Sequence, residues 1–289
     1  MPKKRLLIAL TTLLFGGYLI FGIGYAIYNL FAGPAFDFYT GFENEGYEDW
    51  TPQFAQQLCC NHSAHIVQDP VRHGQFSVSV QVSPDDPFIK GSKRAEFRSR
   101  AVPRDEDYWY AFSMYLPSPW PESTHPVILA QWHGVPDKIL GETGRLPPLA
   151  VKVIGDELLI ESISDDAWIT KWLVFSQADS TRNLLYSEKL TPDSWTDWIF
   201  HVIWSPDNNG LVEVWKNGRE VVRYEGPNTY RDLVAPYFKF GVYAYTWGKS
   251  DDAIPEGTRV AVYDDIFMRK GNAALGTIIS ELEARVGAY

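Results

Sequence analysis

The 289-residue chain has only two cysteines, and they are adjacent, Cys59-Cys60. That excludes a disulfide framework and a four-cysteine zinc site. The histidines form no H-x-x-x-H pair, so a helix-borne catalytic zinc is excluded as well. No internal repeat, low-complexity linker or E-x-D-x-x-E run of carboxylates occurs. Basic residues are in short supply. Residues 36–289 carry 23 Lys and Arg against 36 Asp and Glu, net −13, a poor generic surface for nucleic acid. Charge is missing altogether from Leu6 to Phe31, a run of 26 residues behind Lys3, Lys4 and Arg5.

Twenty-six uncharged, mostly apolar residues are enough to cross a bilayer as one helix, and longer than the apolar core of a cleaved signal peptide. The positive-inside rule keeps the three basic residues in the cytoplasm. Residues 1–35 are therefore expected to be a transmembrane signal anchor, with the body facing the periplasm or the exterior. If the segment is instead cleaved near Ala32-Gly33-Pro34-Ala35, the body is secreted. Outside the cytoplasm thiols tend to oxidise; for Cys59-Cys60, two buried free thiols are expected over a strained vicinal disulfide.

Aromatic residues make up 15% of the chain. From Phe36 onward they sit in short alternating runs, FSVSVQV (76–82), YWYAFSMYL (108–116), LAVKVI (149–154), WIFHVIW (198–204), LVEVW (211–215) and YFKFGVYAY (237–245). Period-two alternation with β-branched and aromatic enrichment is the strand signature, and Asn217-Gly218 between VEVWK and REVVRY marks a hairpin. The expectation is an all-β, two-sheet sandwich of jelly-roll type over 36–270, followed by a helical tail at 271–289. In that tail Leu275, Ile278, Ile279 and Leu282 keep helical spacing. The expected state is a monomer.

Three of the strands carry an unusual polar side. Arg94, Glu96 and Arg98 project to one face, with Ala95 and Phe97 on the other. Gln131 and His133 share a face, with Ile128, Ala130 and Trp132 opposite. Tyr237, Lys239, Gly241, Tyr243 and Tyr245 share a face, with Phe238, Phe240, Val242 and Ala244 opposite. A solvated sheet face is usually padded with Thr, Ser, Glu and Lys. Fixed cations beside a histidine, a glutamine and phenols point instead to a groove for an anionic ligand.

In order along the chain, Arg94-Ala95-Glu96-Phe97-Arg98, Gln131-Trp132-His133 and Tyr237-Phe238-Lys239-Phe240-Gly241-Val242-Tyr243 resemble the signature strands of alginate lyases, R-x-E-L-R, Q-[IV]-H and Y-F-K-x-G-x-Y. Over roughly residues 38–270 the chain resembles the heparin-lyase-like and glucuronan-lyase group of polysaccharide lyases. The departures, Phe97, Trp132 and Phe240, all fall on the expected core side. The resemblance implies β-elimination on a uronic-acid polymer. The proton at C5 is removed and the oxygen at C4 expelled while the neighbouring carboxylate is neutralised. No cofactor is required for that chemistry.

In this scheme His133 is the natural base and Tyr243 the acid, and Tyr243 takes both roles where proton and leaving group lie on one side of the ring. Arg94 and Gln131 neutralise the carboxylate, and Arg98, Lys239, Glu96 and Tyr237 line the substrate, Glu96 chiefly by orienting the arginines. His73 is a further candidate near the groove. Trp132, Trp168, Trp172 and Trp247 are expected in the core rather than as sugar platforms. Glu43, Asp264 and Asp265 resemble the ends of carbohydrate-binding jelly rolls that share a structural calcium, with solvated acids at strand ends as the other reading. Two other functions stand beside the lyase. One is a non-catalytic carbohydrate-binding module, which would not need His133 paired with Tyr243. The other is a jelly-roll glycoside hydrolase, which would need a close carboxylate pair.

Overall fold

A computed structural model describes residues 37–47, 54–138, 141–142, 144–167, 180–248 and 254–286. The expected membrane span lies outside these residues, as do Trp168 and Trp172; among the described residues no helix is long and apolar enough to cross a membrane.

The alternating runs form fifteen strands: β1 (Asp37–Thr40), β2 (Ala55–Gln57), β3 (Ala64–Val67), β4 (Ser77–Val82), β5 (Lys93–Val102), β6 (Asp107–Tyr115), β7 (Val127–His133), β8 (Leu149–Ile154), β9 (Glu157–Ser164), β10 (Thr181–Lys189), β11 (Trp195–Ile203), β12 (Leu211–Lys216), β13 (Arg219–Glu225), β14 (Ala235–Ala244) and β15 (Arg259–Lys270). They build two antiparallel sheets. One runs β13-β12-β11-β6-β15-β4-β3, with β1 also paired to β15; the other runs β10-β9-β8-β7-β14-β5-β2. Asn217 and Gly218 close the β12–β13 hairpin with φ of 49° and 76°, the left-handed pair that matches strand twist.

The core lies between the sheets. Phe97, Trp132, Phe238 and Phe240 of the seven-stranded sheet meet Tyr110, Phe112, Phe200 and Tyr263 of the other, all fully buried. Trp132 packs 4.6 Å from Phe200 and edge-on to Tyr110 at 5.3 Å. Phe97, Trp132 and Phe240 thus do face the core, and Trp247 is buried with them. Burying this aromatic layer is what turns the polar side of β5, β7 and β14 outward.

The last helix, α1 (Leu275–Val286), is not a free tail. Ile278 is fully buried against Trp109, Ala111, Trp215 and Phe267 on the outer face of the eight-stranded sheet. Cys59 and Cys60 are joined as a vicinal disulfide, where the sequence favoured two free thiols. Both lie partly exposed in a loop and so lack the apolar burial that keeps thiols inert to oxidation.

Candidate active site

Strand register assembles the site. On β14, Lys239 lies opposite Arg98, Gly241 opposite Glu96 and Tyr243 opposite Arg94, all on β5. On its other side β14 pairs with β7, placing Tyr237 beside His133 and Lys239 beside Gln131. β2 adds Gln57 opposite Glu96. Gly241 lets the strands come close: a Cβ there would stand 2.2 Å from the Ala95 carbonyl, and its φ of 131° suits glycine.

Glu96 is the hub of this cluster. One carboxylate oxygen accepts from Gln131 Nε2, the other from Lys239 Nζ and, at 3.4 Å, from Arg94 Nη1. Arg94 also donates to Gln57 Oε1 at 3.3 Å. Glu96, Gln131 and Lys239 are all at most 2% exposed. A buried carboxylate of this kind is tolerable because each oxygen finds a donor. Burial, the largest influence, pulls the Lys239 ammonium down to about 8, against the pull of Glu96 in the other direction.

Above this layer lie the groups that reach solvent. Arg98 stacks on the Tyr237 ring at 4.0 Å, and His133 stacks on Tyr237 at 5.2 Å with the rings 12° apart. Arg94 covers the Tyr243 ring at 4.1 Å, with Lys239 Nζ 5.4 Å from it. His133 Nδ1 donates to the Gly134 carbonyl at 2.8 Å, which fixes the tautomer and leaves Nε2 as a lone pair. Burial first, then the Lys239 cation, with smaller contributions from Arg94 and Arg98, holds His133 down to about 3. The imidazole is therefore neutral at ordinary pH.

His133 and Tyr243 line one groove of about 210 Å³ together with Ile128, Lys152, Glu161, Arg182 and Tyr245. Ile128 belongs to this groove wall and not to the opposite face with Ala130, as strict alternation would have it. The register of β7 slips between Ile128 and Ala130 against β8, and such a bulge reverses which side a residue faces.

The structure refines several sequence-based roles. Gln131, Lys239 and Glu96 are buried rather than open on the groove face. They sit beneath the face, where Gln131 Nε2 and Lys239 Nζ both donate to Glu96 while Gln131 Oε1 has no protein partner. Two groups that the sequence did not single out join the cluster, one at the face and one beneath it. Lys90, in the turn before β5, is exposed, and its ammonium is pulled down by burial and by the nearby Arg98 and Arg94 cations. Ser92 is fully buried, accepts from Arg94 Nη2 at 2.6 Å and lies 3.3 Å from Tyr243 Oη. Ser92 has the same strand parity as Arg94, a signal that the sequence did contain.

His73 is not in the groove. It lies on the other sheet, where Nδ1 donates to Asp265 Oδ2 at 2.6 Å and the ring borders a separate cavity beneath α1 with Asp197 and Leu282. Its place before β4 assigns it to the eight-stranded sheet, which sequence order alone did not reveal.

The expected calcium set is also corrected. Glu43 accepts the backbone N–H of Gln75 at 2.9 Å and of Phe76 at 3.1 Å. Asp264 accepts the N–H of Arg72, His73 and Asp265 at 2.8–3.2 Å, and burial followed by the Asp265 charge pushes it up to about 8. Asp265 accepts from Tyr39 Oη at 2.7 Å and from His73. These oxygens are occupied by protein donors, and among the described residues the three carboxylates form no ligand cluster. Asp137, Glu142 and Asp232 do converge, but Arg145 fills their centre, donating to Asp232 at 2.7 Å and Glu142 at 2.5 Å.

Residues 38–266 match the protein family described as polysaccharide lyase. The chain belongs to the polysaccharide lyase family. No curated protein matches it by sequence. Among solved structures, the lyase fold is similar to an endo-beta-1,4-glucuronan lyase from the fungus Trichoderma reesei, at 19% identity and a TM-score of 0.64 over 81% of this chain and 95% of that one. It is also similar to the family 7 alginate lyase A1-II' in complex with substrate, at 11% identity and a TM-score of 0.54 over 77% and 94%. The cellulose-induced protein Cip1 shares the fold at 14% identity and a TM-score of 0.51 over 82% and 100%. At such identities the likeness is one of fold.

Proposed function

We propose that this polysaccharide lyase cleaves a uronic-acid polymer, glucuronan-like or alginate-like, by β-elimination on the jelly-roll face formed by β5, β7 and β14. The observation that carries this reading is the pairing of His133, neutral and with Nε2 free, with the Tyr243 phenol in one groove above a buried layer of cations. A uronate carboxylate entering the groove meets Arg98 and Lys90 at the face and the field of Arg94 and Lys239 from below. That field stabilises the negative charge that moves onto the carboxylate as the C5 proton leaves. The arriving anion offsets the cations that depress His133, raising its basicity when a base is needed. His133 Nε2 takes the C5 proton, the C4–O4 bond breaks, and the Tyr243 hydroxyl proton passes to O4. A C4–C5 double bond remains on the new non-reducing end.

We further propose that the basic N-terminus and the uncharged run 6–31 anchor the domain to a membrane with its groove outside the cytoplasm. The amino-acid pattern supports that placement. The test of function is incubation with glucuronan, alginate and glycosaminoglycans while following the ultraviolet absorbance of the unsaturated uronate. A rise on at least one polymer is expected. Binding with no rise across the panel would overturn the elimination mechanism.

A further inference from the structure

The turn before β5 holds an active-site contact that the elimination scheme does not use. Ile89 and Ser92 exchange backbone hydrogen bonds of 2.8 and 3.2 Å. Between them Lys90 and Gly91 have φ of 51° and 77°, the double left-handed conformation of a tight hairpin turn. The turn folds Ser92 inward, fully buried, so its hydroxyl must find partners within the protein. A serine hydroxyl has one proton to give. Arg94 has only donors, so the 2.6 Å contact from Nη2 uses a lone pair of Ser92. The serine proton is left for the oxygen 3.3 Å away, Tyr243 Oη.

We propose that Ser92 is a positioning residue for Tyr243: by donating to the phenol oxygen it turns the phenol's own proton into the groove, and it holds the oxygen as that proton leaves. This rests on the lyase reading above and adds a residue to it. When the Tyr243 O–H bond breaks and a new O–H bond forms on the departing O4, the phenol oxygen keeps the electron pair. The Ser92 donor then becomes a charge-assisted hydrogen bond, itself polarised by the Arg94 guanidinium on its other side. The bond gains strength only as the charge forms, so its loss belongs in kcat rather than in substrate binding.

The experiment compares wild type with Ser92→Ala and Ser92→Thr, the second restoring a hydroxyl. Ser92→Ala is expected to lower kcat about 10- to 100-fold with KM unchanged, at or below the low end of the ~100- to 1,000-fold cost of a lost oxyanion donor, because this donor acts through Tyr243, and Ser92→Thr to recover most of it. A second readout needs no turnover. In protein labelled with 13C at the tyrosine ζ carbon, the Tyr243 signal, assigned by its loss in Tyr243→Phe, is expected to move in Ser92→Ala. If wild type cleaves no polymer, the lyase reading fails while this signal still decides the contact. An unmoved Tyr243 signal, or an unchanged kcat in active protein, overturns the proposal. So does a fall in kcat accompanied by equal losses in KM and melting temperature, which would make Ser92 a turn residue only.

Discussion

Two polar clusters of this protein contain the same kinds of residue and do different work. On the seven-stranded sheet, Arg94, Gln131 and Lys239 surround one carboxylate, Glu96, with His133 nearby on the same face. On the eight-stranded sheet, Arg72, His73, Asp197, Asp264 and Asp265 surround several. In the second cluster the acids are taken up by the chain itself. Asp264 caps the backbone N–H groups of Arg72 and His73, and Asp197 holds the Arg72 guanidinium through two contacts of 2.9 and 2.7 Å. Cations and carboxylates there cancel in place, and the loop 70–76 is fixed to β15. In the first cluster the single acid Glu96 is outnumbered by Arg94, Arg98 and Lys239. The surplus positive charge faces a groove that holds a free imidazole nitrogen and a phenol. A histidine beside a carboxylate does not by itself mark a site; the balance of charge left over at an open face does.

The sharpest way to break this comparison is to remove the two groups assigned to proton transfer. His133→Ala and Tyr243→Phe are each expected to lower kcat at least about 100-fold, the low end for a positioned acid or base, with the melting temperature retained. Retained turnover in either variant would take that residue out of the mechanism. Next in size is Glu96→Gln. It leaves the Lys239 ammonium buried without its carboxylate, and breaking a buried pair from one side costs about 3 kcal/mol. Denaturant unfolding should show that loss, and turnover should fall with it as Gln131 and Arg94 lose their common acceptor. A Glu96→Gln protein as stable as wild type would mean that Lys239 escapes to solvent and that the buried layer is not a fixed unit.

Much of the groove was legible because strand alternation is a geometric rule. Arg94, Glu96 and Arg98 share a face, and Phe97 and Phe240 could only go inward. What alternation could not carry were events that break or exceed it. The bulge in β7 turned Ile128 to the groove wall. Gln57 reached Glu96 through a strand pairing 39 residues apart in sequence. Whether a polar residue lies at the surface or one layer down was also invisible, and Gln131 and Lys239 are one layer down. The groove-side expectation for His73 failed for a related reason. Residue type and order along the chain do not say which of two stacked sheets a loop will border.

Acid titration tests the electrostatic side of the comparison. His133 is held down to about 3 in the folded protein, against about 6.5 in an unfolded chain. Between those values the unfolded state binds the extra proton, so stability falls as pH drops from about 6.5 toward 3. His133→Gln cannot take up that proton and should lose less stability over the same window, by no more than ~1.4 kcal/mol per pH unit. Unfolding curves at several acidic pH values measure the difference in slope. Equal slopes for the two proteins would mean that the imidazole is solvated and accepts its proton at an ordinary pH. The cation layer beneath it would then exert little field on the groove.

The smallest expected effect falls on the other sheet, and it is the most telling about assignment. His73 donates one hydrogen bond to Asp265, and its side chain is 40% exposed. His73→Ala removes that bond but leaves Asp265 its contact with Tyr39 Oη and leaves Asp264 its backbone donors. The stability cost should therefore be about 1 kcal/mol, that of one hydrogen bond whose acceptor keeps another partner. Activity on any polymer that the enzyme cleaves should stay within about twofold, because no atom of His73 reaches the groove and the intervening core is closely packed. Steady-state kinetics on the purified variant gives the answer directly. A loss of turnover out of proportion to that small change in stability would show the two sheets to be coupled through β15 and the core. The eight-stranded sheet would then be part of the catalytic apparatus and not only its support.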